Sequence, residues 1–167
     1  MKTRKYLKKL LKENIVSKLS RAGFYCFEDT FTKTNKDAFP FGDLRRNLDG
    51  RIEIISIQIG KNGYSFRIGA GKILDSGVVK DGVNYPANQC TYAASPPYIH
   101  LCRKASANYE LLEWGSDRRD WFGNYFYPKK PHKKIEKAVN EAVESLDDVI
   151  EWLDGGKIGS YIKQYYL

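Results

Sequence analysis

Residues 51–69, RIEIISIQIGKNGYSFRIG, decide the fold of this chain. Apolar and polar residues alternate on both sides of a four-residue turn, Gly60-Lys61-Asn62-Gly63. Alternation with a period of two is typical of a β-strand with one buried face, and glycine and asparagine favour a tight turn. The stretch therefore predicts a β-hairpin.

The first strand of this hairpin changes phase in its middle. Ile52 and Ile54 share one side of an ideal strand, whereas the isoleucines at 55, 57 and 59 share the other. A slip of one residue turns the apolar set over unless a bulge absorbs it. We therefore expect either a bulge near Ile54 and Ile55 or a central strand that is covered on both faces.

The first twenty-one residues predict a basic amphipathic helix. Leucine and isoleucine recur there at spacings of three and four, which is the period of a helix with one apolar face. The helix should run from Thr3, as its cap, to Ser20, with Gly23 as the stop. Eight basic residues face one acid in this stretch, a net +7 against a formal +8 for the whole chain.

A second long helix, from Pro131 to Leu153, carries the opposite charge. Between Ile135 and Asp154 seven acids face one lysine, a net −6. The acids crowd the C-terminal end, where the helix dipole disfavours each exposed negative charge by roughly 0.3–1 kcal/mol. Compensation is therefore needed, and the basic helix is an available partner. Our hypothesis is that the two helices lie close and offset their charges, within one molecule or across a dimer.

The remaining segments predict short strands and loops. We expect β-structure at Phe24–Phe27, Thr30–Thr34, Tyr98–Arg103 and Tyr109–Trp114, a small hairpin around Lys80-Asp81-Gly82, and loops at 35–50 and 84–97. Residues 161–166 are ambiguous. The order helix, antiparallel strands, helix predicts a single α+β domain over residues 1–167, with an antiparallel β-sheet and the basic and acidic helices packed on one face.

Composition excludes several classes of protein. The chain is 42% hydrophobic and 14% aromatic, which is typical of a folded domain rather than a disordered one. No apolar run approaches the ~20 residues that span a bilayer, and no unbroken apolar stretch follows the basic N-terminus. Three cysteines, Cys26, Cys90 and Cys102, form no C-x-x-C pair, which favours reduced thiols and a cytoplasmic location.

Catalytic and metal-binding motifs are missing from the sequence. Gly69-Ala70-Gly71-Lys72 lacks the first glycine and the Ser or Thr of a phosphate-binding loop, so a bulge or a close backbone approach explains its glycines better. The chain has two histidines, His100 and His132, whereas a zinc site needs three or four ligands. We expect no metal, no cofactor and no catalytic residue that sequence can identify. An enzyme with a site near His100 remains an alternative.

Two groups of residues form a candidate binding surface. The first is the row Lys5, Lys8, Lys9 and Lys12 on the basic helix. The second combines arginine, tryptophan and lysine side chains: Trp114, Arg118, Arg119, Trp121, Lys129 and Lys130. Cations with aromatic rings are typical of nucleic-acid binding and equally of protein–protein hot spots. A core position for the tryptophans, with Asp117 and Asp120 pairing the arginines, is the third interpretation.

The first half of the chain resembles an uncharacterised bacterial family, the domain-of-unknown-function group numbered four-three-zero-four. The matching residues are Gly23-Phe24, Ile55-Ser56-Ile57-Gln58 and Phe66-Arg67-Ile68-Gly69. The resemblance implies an α+β fold of bacterial or phage origin. It implies no catalytic residues.

The sequence predicts a small, soluble, non-enzymatic interaction protein that binds another macromolecule, by analogy with immunity proteins and phage inhibitors. A protein partner is favoured over nucleic acid, and a homodimer is compatible with the two oppositely charged helices. The first alternative is a nucleic-acid-binding protein that uses the basic helix and the Arg/Trp/Lys surface.

Overall fold

The computed structural model describes residues 2–61, 63, 65–101, 114–115 and 131–166. A long N-terminal helix comprises α1, a π-helical segment and α2. The elements in chain order are α1 Thr3–Leu10, the π segment Leu11–Val16, α2 Ser17–Arg21, β1 Tyr25–Phe27, α3 Thr30–Thr34, β2 Asp43–Leu48, β3 Arg51–Ile59, β4 Ser65–Leu74, β5 Val78–Lys80, β6 Val83–Tyr85, a 3-10 turn Ala87–Gln89, β7 Tyr98–Leu101, β8 Trp114–Gly115, α4 Pro131–Leu153 and β9 Ile162–Tyr165.

The main sheet is antiparallel throughout the described residues. Its strands lie in the order β1-β2-β3-β4-β7-β9, and the short β8 pairs with the start of β4. β5 and β6 form a separate two-stranded hairpin. The predicted α+β class is confirmed, and so are the 51–69 hairpin, with β4 extending on to Leu74, and the small hairpin.

Both long helices cover the same face of the sheet. Their buried leucine, isoleucine, valine and alanine side chains join Ile55, Ile57 and Ile68 in one continuous core. The helices run side by side in the same direction, because the Tyr6 ring lies 4.2 Å from His132 near their starts and Lys18 meets Asp147 further along. The predicted packing of the two helices on one face is therefore what the structure has.

The phase slip in β3 has a simple outcome: the strand is covered on both faces. Its pairing with β2 and β4 continues through Ile54 and Ile55 with no bulge. Ile55 faces the helices, whereas Ile54 faces a smaller core with Ile73, Ala87 and Cys90. Of the two alternatives that the sequence left open, the covered strand is correct.

The N-terminal helix ends where the sequence predicts but begins differently. Gly23 has a φ of +90°, and the amides of Gly23 and Phe24 donate to Ser20 and Leu19, which is a glycine-type C-cap. At the start, Lys2 is the N-cap and Thr3 is the first helical residue, so the predicted Thr3 cap is wrong. No capping side-chain bond is made there, because the lysine side chain has no acceptor to offer.

Two local predictions between residues 28 and 50 are wrong. Residues Thr30–Thr34 form a helical turn instead of a strand, because Asp29 and Thr32 exchange the hydrogen bonds of a capping box. The expected loop at 35–50 contains β2 instead. The β2 side chains that are buried on the side away from the helices are those of Asp43 and Arg45. Because both are charged, β2 lacks the alternation of apolar and polar residues that would identify a strand.

The glycines of β4 admit another segment of the chain. A side chain at Gly71 would meet the Tyr92 carbonyl oxygen at 1.9 Å, and one at Gly69 would meet the Tyr92 ring at 2.4 Å. The predicted close backbone approach is confirmed, since Tyr92 lies directly over the strand. In the part of the chain that is described, no helix has both the length and the apolar character that crossing a bilayer requires.

Candidate functional site

Three of the predicted lysines lie on one exposed flank of the N-terminal helix. Lys5, Lys8 and Lys12 are spaced by three and four residues, so they share a side of the helix, and all three are exposed. We call them the lysine flank. Helical geometry puts Tyr6 and Lys18, which contact α4, on the opposite side. The lysine flank therefore points away from the acidic helix.

Among the described residues, no acid lies within ion-pair distance of Lys5, Lys8 or Lys12. Lys9 is also exposed and lies 3.8 Å from Glu13 on its own helix. Burial raises the pKa of the Cys26 thiol, and the nearby charge of Lys12 opposes this rise. Lys12 therefore lies near Cys26 of β1, the first strand of the sheet.

Direct pairing between the two long helices rests on a few contacts. Lys18 donates to the Val143 carbonyl at 2.9 Å and lies 2.8 Å from the Asp147 carboxylate. Tyr6 donates to Glu136, and this bond raises the pKa of the tyrosine. The hypothesis that the helices lie close is confirmed. Their charges offset only locally, because the lysine flank is on the far side.

A cluster of cations from the sheet meets the C-terminal end of α4. We call Arg46, Arg51, Glu53, Lys72 and Asp154 the helix-end cluster. Glu53 is fully buried and accepts from Arg46 at 2.7 Å and from Arg51 at 2.9 Å. Arg46 also bonds Asp154 at 2.5 Å. The last carbonyls of α4 accept hydrogen bonds from Arg51 at 3.3 Å and from Lys72 at 2.9 Å.

This cluster resolves the unfavourable charge distribution of α4. Cations at a helix C-terminus interact favourably with the dipole, and here the sheet supplies them. Sequence analysis missed the cluster because its members are scattered over three strands and the end of α4. Pairing of β2, β3 and β4 aligns Arg46, Glu53 and Lys72 side by side. The isolated charge at Glu53, inside an isoleucine-rich strand, was the available signal.

The Arg/Trp/Lys surface falls outside the described residues, apart from the backbone of one member. Trp114 belongs to the short strand β8, which pairs with the start of β4. The other members of that predicted surface, Arg118, Arg119, Trp121, Lys129 and Lys130, lie outside the described residues, as does Cys102.

A polar row crosses the face of the sheet that the helices leave uncovered. Pairing aligns one residue from each of five neighbouring strands: Asp43, Ser56, Gly69, His100 and Lys163. Asp43 and Ser56 are 2% and 4% exposed, and His100 is 9% exposed. The Tyr92 side chain occupies the space above Gly69, and its hydroxyl lies 2.9 Å from His100 Nε2.

Burial shifts the pKa of two members of this row, Asp43 and His100. It raises the pKa of Asp43 to about 6, although a hydrogen bond from Ser56 and the charge of Arg45 oppose the rise. Burial, together with the charges of Arg67 and Lys163, lowers the pKa of His100 to about 4. His100 is therefore neutral near pH 7.

The chemistry that this row supports is limited. Burial raises the pKa of Tyr92, so its hydroxyl is a poor nucleophile at neutral pH. The His100 nitrogen that meets Tyr92 is already engaged in a hydrogen bond. Within the described ranges, no group of three His, Cys, Asp or Glu residues is arranged to hold a metal ion. These contacts are those of a hydrogen-bonded polar layer.

Among the described residues, two open clefts lie beside the sheet. The hairpin cleft, of about 620 Å³, has β5, β6 and the 89–96 segment as its walls and is lined by Val78, Val79, Lys80, Tyr85, Gln89, Cys90, Thr91, Ala93, Ala94, Ser95 and Pro96. The second, of about 500 Å³, is lined by residues 27–31, Lys33, Asn88 and Gln89. Neither is lined by His100.

Comparison of the chain with protein-family models, with curated proteins and with solved structures found no match.

Proposed function

We propose that this chain is a non-enzymatic interaction protein that binds a partner protein through the exposed surface of its helical layer. The observation that carries this proposal is the position of the lysine flank. Lys5, Lys8 and Lys12 are exposed and point away from α4, so their charge is available to a partner. The acids and carbonyls at the C-terminal end of α4 are paired by other cations, those of the helix-end cluster.

A protein partner is favoured over nucleic acid because the helical layer carries both signs of charge. Glu144 and Glu151 are exposed on α4, the helix that packs beside the N-terminal helix. Axes of packed helices lie about 8–10 Å apart, so a partner surface that spans both helices meets both signs of charge. A polyanion lying across both helices would be repelled by the acids of α4, whereas a folded protein can present both signs of charge.

The experiment compares two charge-reversal variants with the same change in net charge. Lys8→Glu with Lys12→Glu alters the lysine flank, and Lys33→Glu with Lys157→Glu alters exposed lysines outside the helical layer. Tagged full-length protein is used for affinity purification from nuclease-treated lysate of its own host. We expect one stoichiometric partner with the wild type and the control variant, and its loss with the flank variant.

Two results contradict the proposal. One is the recovery of no stoichiometric partner by the wild type. The other is tight binding of a 20-base-pair DNA or RNA duplex, with an affinity that falls steeply as salt rises and is lost in the flank variant. That second result would instead establish the nucleic-acid alternative.

A further inference from the structure

The β5–β6 hairpin concentrates exposed apolar surface. Leu74, at the end of β4, is 63% exposed, Val79 is 72% exposed and Val83 is 52% exposed. Tyr85 is 44% exposed and lines the hairpin cleft. Single exposed apolar residues need no explanation, but a group of them beside a cleft is typical of an interaction site.

The outer edge of β5 has main-chain groups to offer. Asp81 and Gly82 form a two-residue loop, so Lys80 and Val83 are a hydrogen-bonded pair and the next pair, Val79 and Asn84, is not. The amide and carbonyl of Val79 therefore point away from β6. In the described part of the chain no backbone hydrogen bond engages them.

The cleft that this edge borders has the size and lining of a binding groove. Ala93, Ala94 and Pro96 from the 93–96 segment also line it. A volume of about 620 Å³ is within the range of pockets that hold small ligands or short peptide segments. Lys80 places one positive charge on the β5 wall.

We propose that the hairpin cleft binds an extended segment of a partner protein, which adds to β5 as a third strand. The unpaired groups of Val79 require an extended backbone, and the apolar walls favour apolar side chains at alternate positions. Lys80 favours an acidic residue beside them. The inference rests on the proposed function as an interaction protein but uses the opposite face of the sheet.

A second copy of this chain is a poorer occupant of the cleft. Symmetric pairing of two β5 edges would involve three residues from each chain. A stable interface buries about 800 Å² per partner, which is far more than three paired residues provide. Such pairing would also leave the cleft wall at 93–96 without a contact.

The test uses phage-displayed random nine-residue peptides, selected on full-length protein. We expect enrichment of sequences with alternating apolar residues and an acid. The best peptide, made synthetically, should shift the Val79 amide signal in NMR spectra of the protein. N-methylation of its central residue should weaken binding about tenfold, since it removes a main-chain hydrogen bond.

Protein variants provide the matched control. Val79→Pro removes the outward amide and should weaken the peptide about tenfold, whereas Val79→Thr keeps it and should bind like the wild type. Enriched sequences without alternation, insensitivity to N-methylation, or a wild-type dimer that Val79→Pro dissociates would each overturn the proposal. The Lys8→Glu and Lys12→Glu variant should bind the peptide normally, so failure here is distinct from failure of the proposed function.

Discussion

Glu53 is the residue on which the helix-end cluster depends. It is fully buried and is held by Arg46 and Arg51 at 2.7 and 2.9 Å. Glu53→Gln keeps the shape but leaves two cations with a neutral acceptor. We expect a loss of roughly 3 kcal/mol in the free energy of unfolding, since removing one partner of a buried ion pair is costly. Urea unfolding measures this loss. The control is Glu151→Gln at an exposed position, which should change the free energy of unfolding by less than about 0.5 kcal/mol.

Asp43 gives the protein a pH-dependent stability of definite sign. Its pKa is about 6 in the folded protein, against about 3.9 in an unfolded chain. The folded state therefore retains a proton that the unfolded state releases, and the stability from this group is lost as the pH rises from about 4 through 6. We expect the free energy of unfolding of Asp43→Asn, relative to that of the wild type, to rise by on the order of 2 kcal/mol from pH 4 to pH 7.

Denaturant unfolding of both proteins across that range checks this prediction. The burial of His100 acts in the opposite direction, because its lowered pKa makes stability fall as the pH drops from about 6.5 towards 4. The relevant quantity is therefore the difference in the free energy of unfolding between wild type and variant at each pH. A difference that is constant from pH 4 to 7 would contradict the assignment.

Among the elements, β4 depends most on having no side chains at two positions. A Cβ at Gly71 would lie 1.9 Å from the Tyr92 carbonyl, and one at Gly69 would lie 2.4 Å from the Tyr92 ring. We expect Gly71→Ala and Gly69→Ala each to cost roughly 3 kcal/mol, the upper end of overpacking. Thermal unfolding of each variant, with and without Tyr92→Ala, distinguishes the two clashes. The second change should relieve Gly69→Ala, where the ring is the obstacle, but not Gly71→Ala.

The lysines of the N-terminal helix have two roles: Lys18 stabilises the fold, whereas Lys8 and Lys12 carry exposed charge. Lys18 bonds the Val143 carbonyl and Asp147, so Lys18→Glu should cost about 1–2 kcal/mol by losing a bond and adding repulsion. The Lys8→Glu and Lys12→Glu variant should change stability by less than about 0.5 kcal/mol. Thermal melting at low and high salt checks both. A large, salt-sensitive loss in the second variant would mean that the flank pairs with acids after all.

At the scale of the whole molecule, regular periodicity predicted the elements and tertiary contacts decided the rest. The 51–69 hairpin follows from the alternation of apolar residues, and both long helices follow from the helical spacing of their apolar residues. β2 does not, because Arg45 is 2% exposed and is stabilised by hydrogen bonds to the Ala87 and Cys90 carbonyls, which lie far along the chain. Local sequence carries no sign of such a contact.

The candidate site divides in the same way. Spacing of three and four was enough to place Lys5, Lys8 and Lys12 on one flank, and their exposure agrees with it. The direction of that flank relative to α4 required the contacts of Tyr6 and Lys18. The free edge of β5 likewise required the strand register, because the register decides which residues of β5 direct their amides outward.

The two faces of the sheet should differ in local stability. The helix-covered core draws on both long helices, whereas the opposite core has four buried apolar residues in the part of the chain that the structure describes: Ile54, Ile73, Ala87 and Cys90. Segments with few buried apolar contacts open by local unfolding, without loss of the remaining structure. We therefore expect the β5–β6 hairpin to open while β3 and β4 stay paired.

Native-state hydrogen exchange measures this difference amide by amide. The amides of Lys80 and Val83, which bond within the hairpin, should exchange about 100-fold faster than those of Ile55 and Ile57, a gap of roughly 2.7 kcal/mol. Low urea should accelerate the β3 amides strongly and the hairpin amides little, because global unfolding exposes far more surface. Equal protection of the two sets would mean that the hairpin unfolds only with the whole molecule. A partner strand paired to β5 should then raise protection at Val79 and along the hairpin but leave β3 unchanged, since β3 already exchanges by global unfolding.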